Sequence, residues 1–208
     1  MPAMAPDDET VGEGQRLDAE SLPAFFERVT RLALALSGGV DSAYVLAAAR
    51  NAGCAVKAYL VDTAFQPAFE LEDARAVAAA FDVPLEVIEV DVLSRSDICA
   101  NSPDRCRLCK RLVFSEIKKA ARRDGFAVVV DGPARRPGFI SLAEAGVASP
   151  LRRAGLSKAE VREGARALGV SVADKPRFAC LAVHVPAGER ICAASLAEAA
   201  RACGVVYG

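Results

Sequence analysis

Arg31-Leu-Ala-Leu-Ala-Leu36-Ser-Gly-Gly-Val-Asp-Ser42 runs from a short apolar stretch through two glycines into an alanine-rich segment. The apolar run Arg31 to Leu36 predicts a buried strand, and Asp41 to Asn51 predicts a helix. Two glycines at the join remove Cβ atoms, so backbone N–H groups can come close to an anion. The helix N-terminus adds unpaired donors and a partial positive charge. With the Ser37 and Ser42 hydroxyls, the segment Ser37, Gly38, Gly39, Val40, Asp41 and Ser42 reads as a cradle for phosphate oxygens. It is not a Walker loop, because the lysine of G-x-x-x-x-G-K-[ST] is missing. Asp41 suits either a cap on the helix or a ligand of the magnesium that accompanies a nucleotide. An ordinary glycine-rich turn is the plain alternative.

Outward from this loop the pattern repeats. Ala55 to Val61 and Leu85 to Val90 predict strands, and Leu71 to Phe81 a helix between them. Arg105 to Asp124 predicts a longer helix, stopped by Gly125, and Phe126 to Val130 a nearly all-apolar strand. Strands this apolar, alternating with helices, indicate an α/β fold: a parallel twisted sheet covered by helices on both faces. Right-handed crossovers place the strand-to-helix loops on one edge, where ligands bind. That edge is expected to carry Ser37 to Ser42, Asp62 at the end of the second strand, and Asp131-Gly132 after the fourth. Further on, Ser157-Lys-Ala-Glu160 is a capping box that opens a helix to about Leu168. A loop from Asp174 to Cys180 follows, then a short helix from Ser195 to Cys203.

The 208 residues suit one domain, expected over 21–185, with a polar flexible tail over 1–20 and a short extension over 186–208. A formal net charge of -1 provides no overall field for nucleic acid. No apolar run approaches the roughly 20 residues that span a bilayer. The acidic N-terminus lacks an apolar segment, so a cytoplasmic location is expected. Seven cysteines, an odd number with Cys106 and Cys109 in a C-x-x-C, point to metal or redox chemistry rather than a disulfide framework. A single histidine, His184, excludes a multi-histidine metal site.

Cys106 and Cys109 stand at a helix start and share a face. A helix N-terminus lowers thiol pKa and favours thiolates. Cys180 is the natural third ligand. Three thiolates suit a 4Fe–4S cluster with one open iron. Zinc is the alternative, with His184 or Cys99 as the fourth ligand, and a redox-active C-x-x-C or plain buried thiols also fit. Cys54, Cys192 and Cys203 read as small apolar fillers.

The S-G-G-x-D-S string resembles the PP-loop of the ATP pyrophosphatases, which cut ATP between the α- and β-phosphates and pass AMP to a substrate oxygen. Further segments sharpen this. They are Asn101-Ser-Pro-Asp-Arg-Cys-Arg-Leu-Cys-Lys-Arg111, Arg136-Pro-Gly138, Ser149-Pro-Leu-Arg-Arg-Ala-Gly-Leu-Ser-Lys-Ala-Glu-Val-Arg162, and Asp174-Lys-Pro-x-x-Ala-Cys-Leu-Ala182. Together they resemble the LarE family of ATP-dependent sulfur transferases, from about Arg31 to Leu181. The resemblance implies an adenine nucleotide alpha hydrolase-like fold. It also implies ATP and Mg2+ at the glycine loop, with Asp41 as a magnesium ligand, and adenylation of a carboxylate on a pyridinium mononucleotide in nickel-pincer cofactor synthesis. One branch of the family gives up the sulfur of a single cysteine. Another holds a 4Fe–4S cluster on three cysteines, and the chain is similar to that branch, with Cys106, Cys109 and Cys180 as ligands. The family's serine-arginine pair after the last cysteine is Val183 and His184 here. The chain is expected to lack most of the family's C-terminal domain, and a homo-oligomer is one expected assembly.

Remaining candidates are Lys175, which can neutralise the α-phosphate during adenylation; Asp131-Gly132, for magnesium or substrate; Asp62, facing the nucleotide; and Arg136, for a substrate phosphate or carboxylate. The expected partner is a small anionic nucleotide-like substrate. Other function classes stay open: a tRNA thiolase, an ATP-dependent amidating enzyme with structural zinc, and a non-catalytic nucleotide-binding or sulfur-carrier module.

Overall fold

The computed structural model describes residues 20–133 and 146–207. The expected tail, apart from Glu20, and Arg136 lie outside these residues. The first element is α1 (Leu22–Arg28), capped by Ser21. The alternation then follows as β1 (Arg31–Ala35), α2 (Val40–Asn51), β2 (Ala55–Asp62), α3 (Ala68–Ala80) and β3 (Leu85–Glu89). After a short turn of helix, α4 (Ser96–Cys99), come α5 (Arg105–Arg123), β4 (Val129–Val130), β5 (Val147–Ala148), α6 (Pro150–Arg153), α7 (Lys158–Ala167) and α8 (Ala193–Ala202).

Among the described residues five strands form one all-parallel sheet in the order β3-β2-β1-β4-β5. This is the parallel sheet that the apolar strands predict. Period-two alternation in β1 explains how both faces are covered. Leu32 and Leu34 join Leu46 of α2, Val77 of α3 and Val161 of α7 on one face. Ala33 joins Phe114 and Ile117 of α5 on the other. A third apolar cluster lies beside the sheet, where Phe65, Ile98 and Leu181 meet Ile191 and Leu196. No helix among the described residues is long and apolar enough to cross a membrane.

The strand expected from Phe126 to Val130 is only its last two residues. Phe126 is used to leave α5: its N–H bonds to the Ala121 carbonyl at 2.8 Å, and its ring lies under the Arg31 guanidinium, 4.3 Å from the centroid. Val128 then reaches β1 through its carbonyl alone, at 2.9 Å from the Ala33 nitrogen. The last helix starts earlier than expected, at Ala193, because Cys192 rather than a later residue takes the N-cap position.

The chain order reverses between β1 and β4, since β2 and β3 extend the sheet one way and β4 and β5 the other. Such a switch point leaves a crevice at the carboxyl ends of the two central strands. Here the crevice walls touch. A Cβ on Gly132 would stand 2.4 Å from the Ser42 nitrogen and 2.5 Å from its Cα. Gly132→Ala is therefore expected to force the two turns apart and to destabilise the protein by about 1–3 kcal/mol, measured as a lower midpoint of urea unfolding.

Candidate active site

The loop after β1 is closed on itself before any ligand is considered. Ser42 Oγ accepts from the Ser37 N–H at 3.2 Å, lies 3.2 Å from Ser37 Oγ, and donates to the Gly39 carbonyl at 3.1 Å. Gly38 has φ 70°, and a Cβ there would fall 2.3 Å from the Glu70 carbonyl oxygen. Only glycine fits this bend. Gly39 is the N-cap of α2 and supplies no side-chain cap, which leaves the first-turn N–H groups of the helix available to an outside acceptor.

These residues line a cavity of about 350 Å³. Ser37, Gly39, Val40, Asp41 and Ser42 form one wall, and Asp131 and Gly132 another. The loop before Cys180 contributes Lys175, Pro176, Arg177 and Phe178, and apolar side chains of β1, β2 and α5 make the floor. Lys110, Lys158, Arg162, Lys175 and Arg177 on the lining outnumber the carboxylates Asp41, Glu70 and Asp131. That balance suits a ligand carrying several negative charges.

The cationic side chains are held in place. Lys158 pairs with Asp41, joining the start of α7 to the glycine loop. Lys175 pairs with Asp73 and lies over the Phe69 ring, 4.2 Å from the centroid. Arg162 donates to the carbonyls of Ala173 and Lys175, the latter at 2.8 Å. One helix, α7, thus grips both the glycine loop and the loop that carries Lys175 and Cys180.

Asp131 is 2% exposed, and neither carboxylate oxygen has a hydrogen-bond partner. A buried carboxylate in that state is costly. Burial pushes its pKa up to about 6, against the opposing pull of Ser149, Arg152 and Lys110. An orphaned acid on the cavity wall fits a divalent cation that arrives with its ligand. Asp62 ends β2, half-buried, and is not on the lining of this cavity.

Cys106, Cys109 and Cys180 are neighbours that lie off the lining of this cavity. Cys109 and Cys180 pack against the same apolar cluster, and Arg105 Nη1 lies 3.9 Å from Cys180 Sγ. The thiols act on one another. Burial, then Cys180 and Cys106, push the Cys109 thiol up to about 11, and burial raises Cys180 despite Arg105. The expected lowering of thiol pKa by the α5 N-terminus is overridden at Cys109, because burial outweighs a partial charge. Mutual repulsion of nearby thiolates is what a bound cation removes, so the donor set fits a thiophilic metal centre. Among the described residues, no three His, Cys, Asp or Glu side chains are already gathered as a metal site. Cys99 is buried with its thiol on the Val92 and Leu93 carbonyls, both at 3.5 Å. His184 is exposed and leans on Phe178, with ring centroids 6.5 Å apart. Cys54 is a buried filler as expected, whereas Cys192 is exposed.

Glu70 and Asp73 carry no local motif, and sequence reasoning passed over both. The signal available was weak: two acids on the inward face of the helix after β2. Burial pushes Glu70 up to about 7, with Lys175 and Gln66 pulling down and Asp73 adding to the rise. A carboxyl raised on folding holds its proton longer in the native chain. Its contribution to stability is therefore full below the ordinary carboxyl range and is lost as pH climbs through about 7. Glu70→Gln should flatten that slope and, well above neutrality, stabilise the protein by about 3 kcal/mol relative to wild type, read from urea unfolding across a pH series.

Over 191 residues the chain is 34% identical to the uncharacterized protein slr1717 of Synechocystis sp. (strain ATCC 27184 / PCC 6803 / Kazusa), covering 88% of this chain and 71% of that protein. It is 27% identical over 186 residues to the pyridinium-3,5-bisthiocarboxylic acid mononucleotide synthase of Lactiplantibacillus plantarum, covering 86% of this chain and 67% of that one. Among solved structures, NMN synthetase from Francisella tularensis shares the fold, with a TM-score of 0.61 at 18% identity over 74% of this chain and 68% of that one. Residues 31–144, from the start of β1 through the glycine loop to beyond Asp131, match the family described as queuosine biosynthesis protein QueC, and the chain belongs to that PP-loop family.

Proposed function

We propose that this protein is an ATP-dependent sulfur transferase that adenylates a carboxylate, releases pyrophosphate and then delivers sulfur to the activated acyl group. The observation that carries the reading is the glycine loop on one wall of a cation-lined cavity whose other wall includes Lys175 to Phe178, the loop that leads to Cys180. Its similarity to the mononucleotide synthase of Lactiplantibacillus plantarum supports a pyridinium mononucleotide as the acceptor.

In this reading the β- and γ-phosphates lie on the N–H groups of Gly39, Val40 and Asp41 and on the Ser37 hydroxyl. Ser42 is occupied in closing the loop and acts by holding its shape. Mg2+, held by Asp41 and Asp131, would screen the triphosphate. Asp41 must then release Lys158, which is left to meet the departing phosphates. Lys175 faces the α-phosphate, where charge grows as the substrate carboxylate attacks phosphorus and the bond to pyrophosphate breaks. The product is an acyl adenylate. A sulfur nucleophile adds to its carbonyl carbon, AMP leaves, and a thiocarboxylate remains. Cys106, Cys109 and Cys180 would hold a 4Fe–4S cluster, which supplies sulfide. Arg177 and Arg136 are the proposed anchors for the substrate's own anionic groups, and Asp62, at the end of β2 and off the cavity lining, would reach the nucleotide only beyond the cavity.

Anaerobic purification followed by iron, sulfide and zinc counts tests the metal. Iron and sulfide are expected in the wild type and should be lost from Cys106→Ala, Cys109→Ala and Cys180→Ala alike. Stoichiometric zinc without iron or sulfide would replace sulfur transfer with ATP-dependent amidation. Lys175→Met should slow pyrophosphate release by roughly 10²–10³-fold while ATP binding, followed by calorimetry, stays close to wild type. An equal loss of binding and turnover would count against a role at the α-phosphate.

A further inference from the structure

Asn101 stands a short turn before Cys106 and is 4% exposed. Its φ is 52°, in the left-handed region that asparagine tolerates better than most residues. Its side-chain amide donates twice, to the Pro186 carbonyl at 2.8 Å and the Val185 carbonyl at 3.2 Å. Its own carbonyl accepts from the Gly188 N–H at 3.2 Å, and the nearby Cys99 carbonyl accepts from the Ile191 N–H at 2.8 Å. Four hydrogen bonds therefore join the chain entering the C-x-x-C helix to the chain leaving Cys180.

The two sides otherwise meet through apolar packing, where Leu108, Cys109 and Leu112 lie against the cluster that holds Leu181, and such packing is non-directional. Cys180 is tied to the loop after β2 because the Leu181 N–H bonds to the Phe65 carbonyl at 2.8 Å. The turn that follows it, Leu181–His184, is stiffened by burial of Leu181 and Ala182. Helix α5 is fixed to the sheet further along, through Phe114 and Ile117, and its first turn has no side-chain cap. The remaining link, Arg105 to Cys180 at 3.9 Å, is too long to set a register. Asn101 supplies what the site needs at this place: two N–H donors on a residue that accepts a left-handed backbone. Aspartate keeps the shape but sets a carboxylate against two carbonyl oxygens. Glycine keeps the backbone and has no amide.

We propose that Asn101 is a positioning residue that holds the Cys106–Cys109 helix start in register with Cys180, so that the three thiols bind a thiophilic ion as one set. This rests on the three-thiol reading given above. Cadmium is a suitable probe, since its thiolate complexes absorb in the ultraviolet and it needs no assembly machinery. The reduced intact chain would be titrated anaerobically, in a Cys192→Ala, Cys203→Ala background that removes the other accessible thiols. Cys180→Ala, Asn101→Asp and Asn101→Gly are compared with the parent.

The parent should bind cadmium with more thiolate absorption than Cys180→Ala. Both Asn101 variants should fall to the Cys180→Ala absorption, with affinity reduced by about 10- to 100-fold, while nucleotide binding and the circular dichroism spectrum are kept. Parental absorption and affinity in either folded Asn101 variant would overturn the proposal. So would loss of fold or nucleotide binding in both, which would make Asn101 a residue of general stability. If the parent and Cys180→Ala titrate alike, the three-thiol reading itself fails, and that result is distinct from the other two.

Discussion

Two backbone turns press together at the middle of the sheet's carboxyl edge, and the site is built on that contact. The turn after β4 comes so near the start of α2 that Gly132 has no room for a side-chain carbon beside Ser42. Ser42 in turn shapes the glycine loop through its hydroxyl. The same approach brings Asp131 to the cavity wall with its carboxylate buried, its desolvation only partly offset by Ser149, Arg152 and Lys110. A looser crevice would leave Asp131 hydrated and the loop free to open. The closeness of the two turns thus sets both the shape of the anion cradle and the electrostatic tension beside it.

Around this contact the cations are organised by carboxylates and carbonyls rather than left mobile. Asp41 holds Lys158, Asp73 holds Lys175, and two carbonyls hold Arg162. Long flexible side chains are costly to order when a ligand arrives, and these pairings meet part of that cost in advance. They also make α7 a common support for the glycine loop and the cysteine loop. Gly164 on that helix lies against Tyr44 of α2, where an added Cβ would be 2.5 Å from the phenol oxygen, so helix and loop are seated together.

The thiols show how local and tertiary effects compete. A helix start favours thiolate, yet Cys109 and Cys180 are half-buried among apolar side chains and near other sulfurs, and desolvation prevails. Thiols in that condition are poor free nucleophiles. They are better suited to being deprotonated by a metal that replaces their mutual repulsion with attraction. Cys192, by contrast, is exposed at the N-cap of α8 and its thiol is lowered by hydrogen bonds from Ser195.

The parallel sheet, its covering helices and the glycine loop were legible in the sequence, because strand burial, helix capping and tight turns are written in neighbouring residues. The apolar alternation of Arg31 to Ala35, the Ser157–Glu160 capping box and the Gly38–Gly39 pair each carry their own local reason. What the tertiary structure alone decided is which distant side chains meet. Glu70 and Asp73 enter the site because α3 follows β2 at the shared edge, and no pattern in their own segment says so. Asn101 reads as a loop residue until its amide is seen on the carbonyls of Val185 and Pro186. The shortening of β4 likewise depends on Phe126 finding Arg31 across the sheet. Local propensity extends over a few residues of chain, whereas hydrogen bonds, charge pairs and burial act through space and belong to the folded chain.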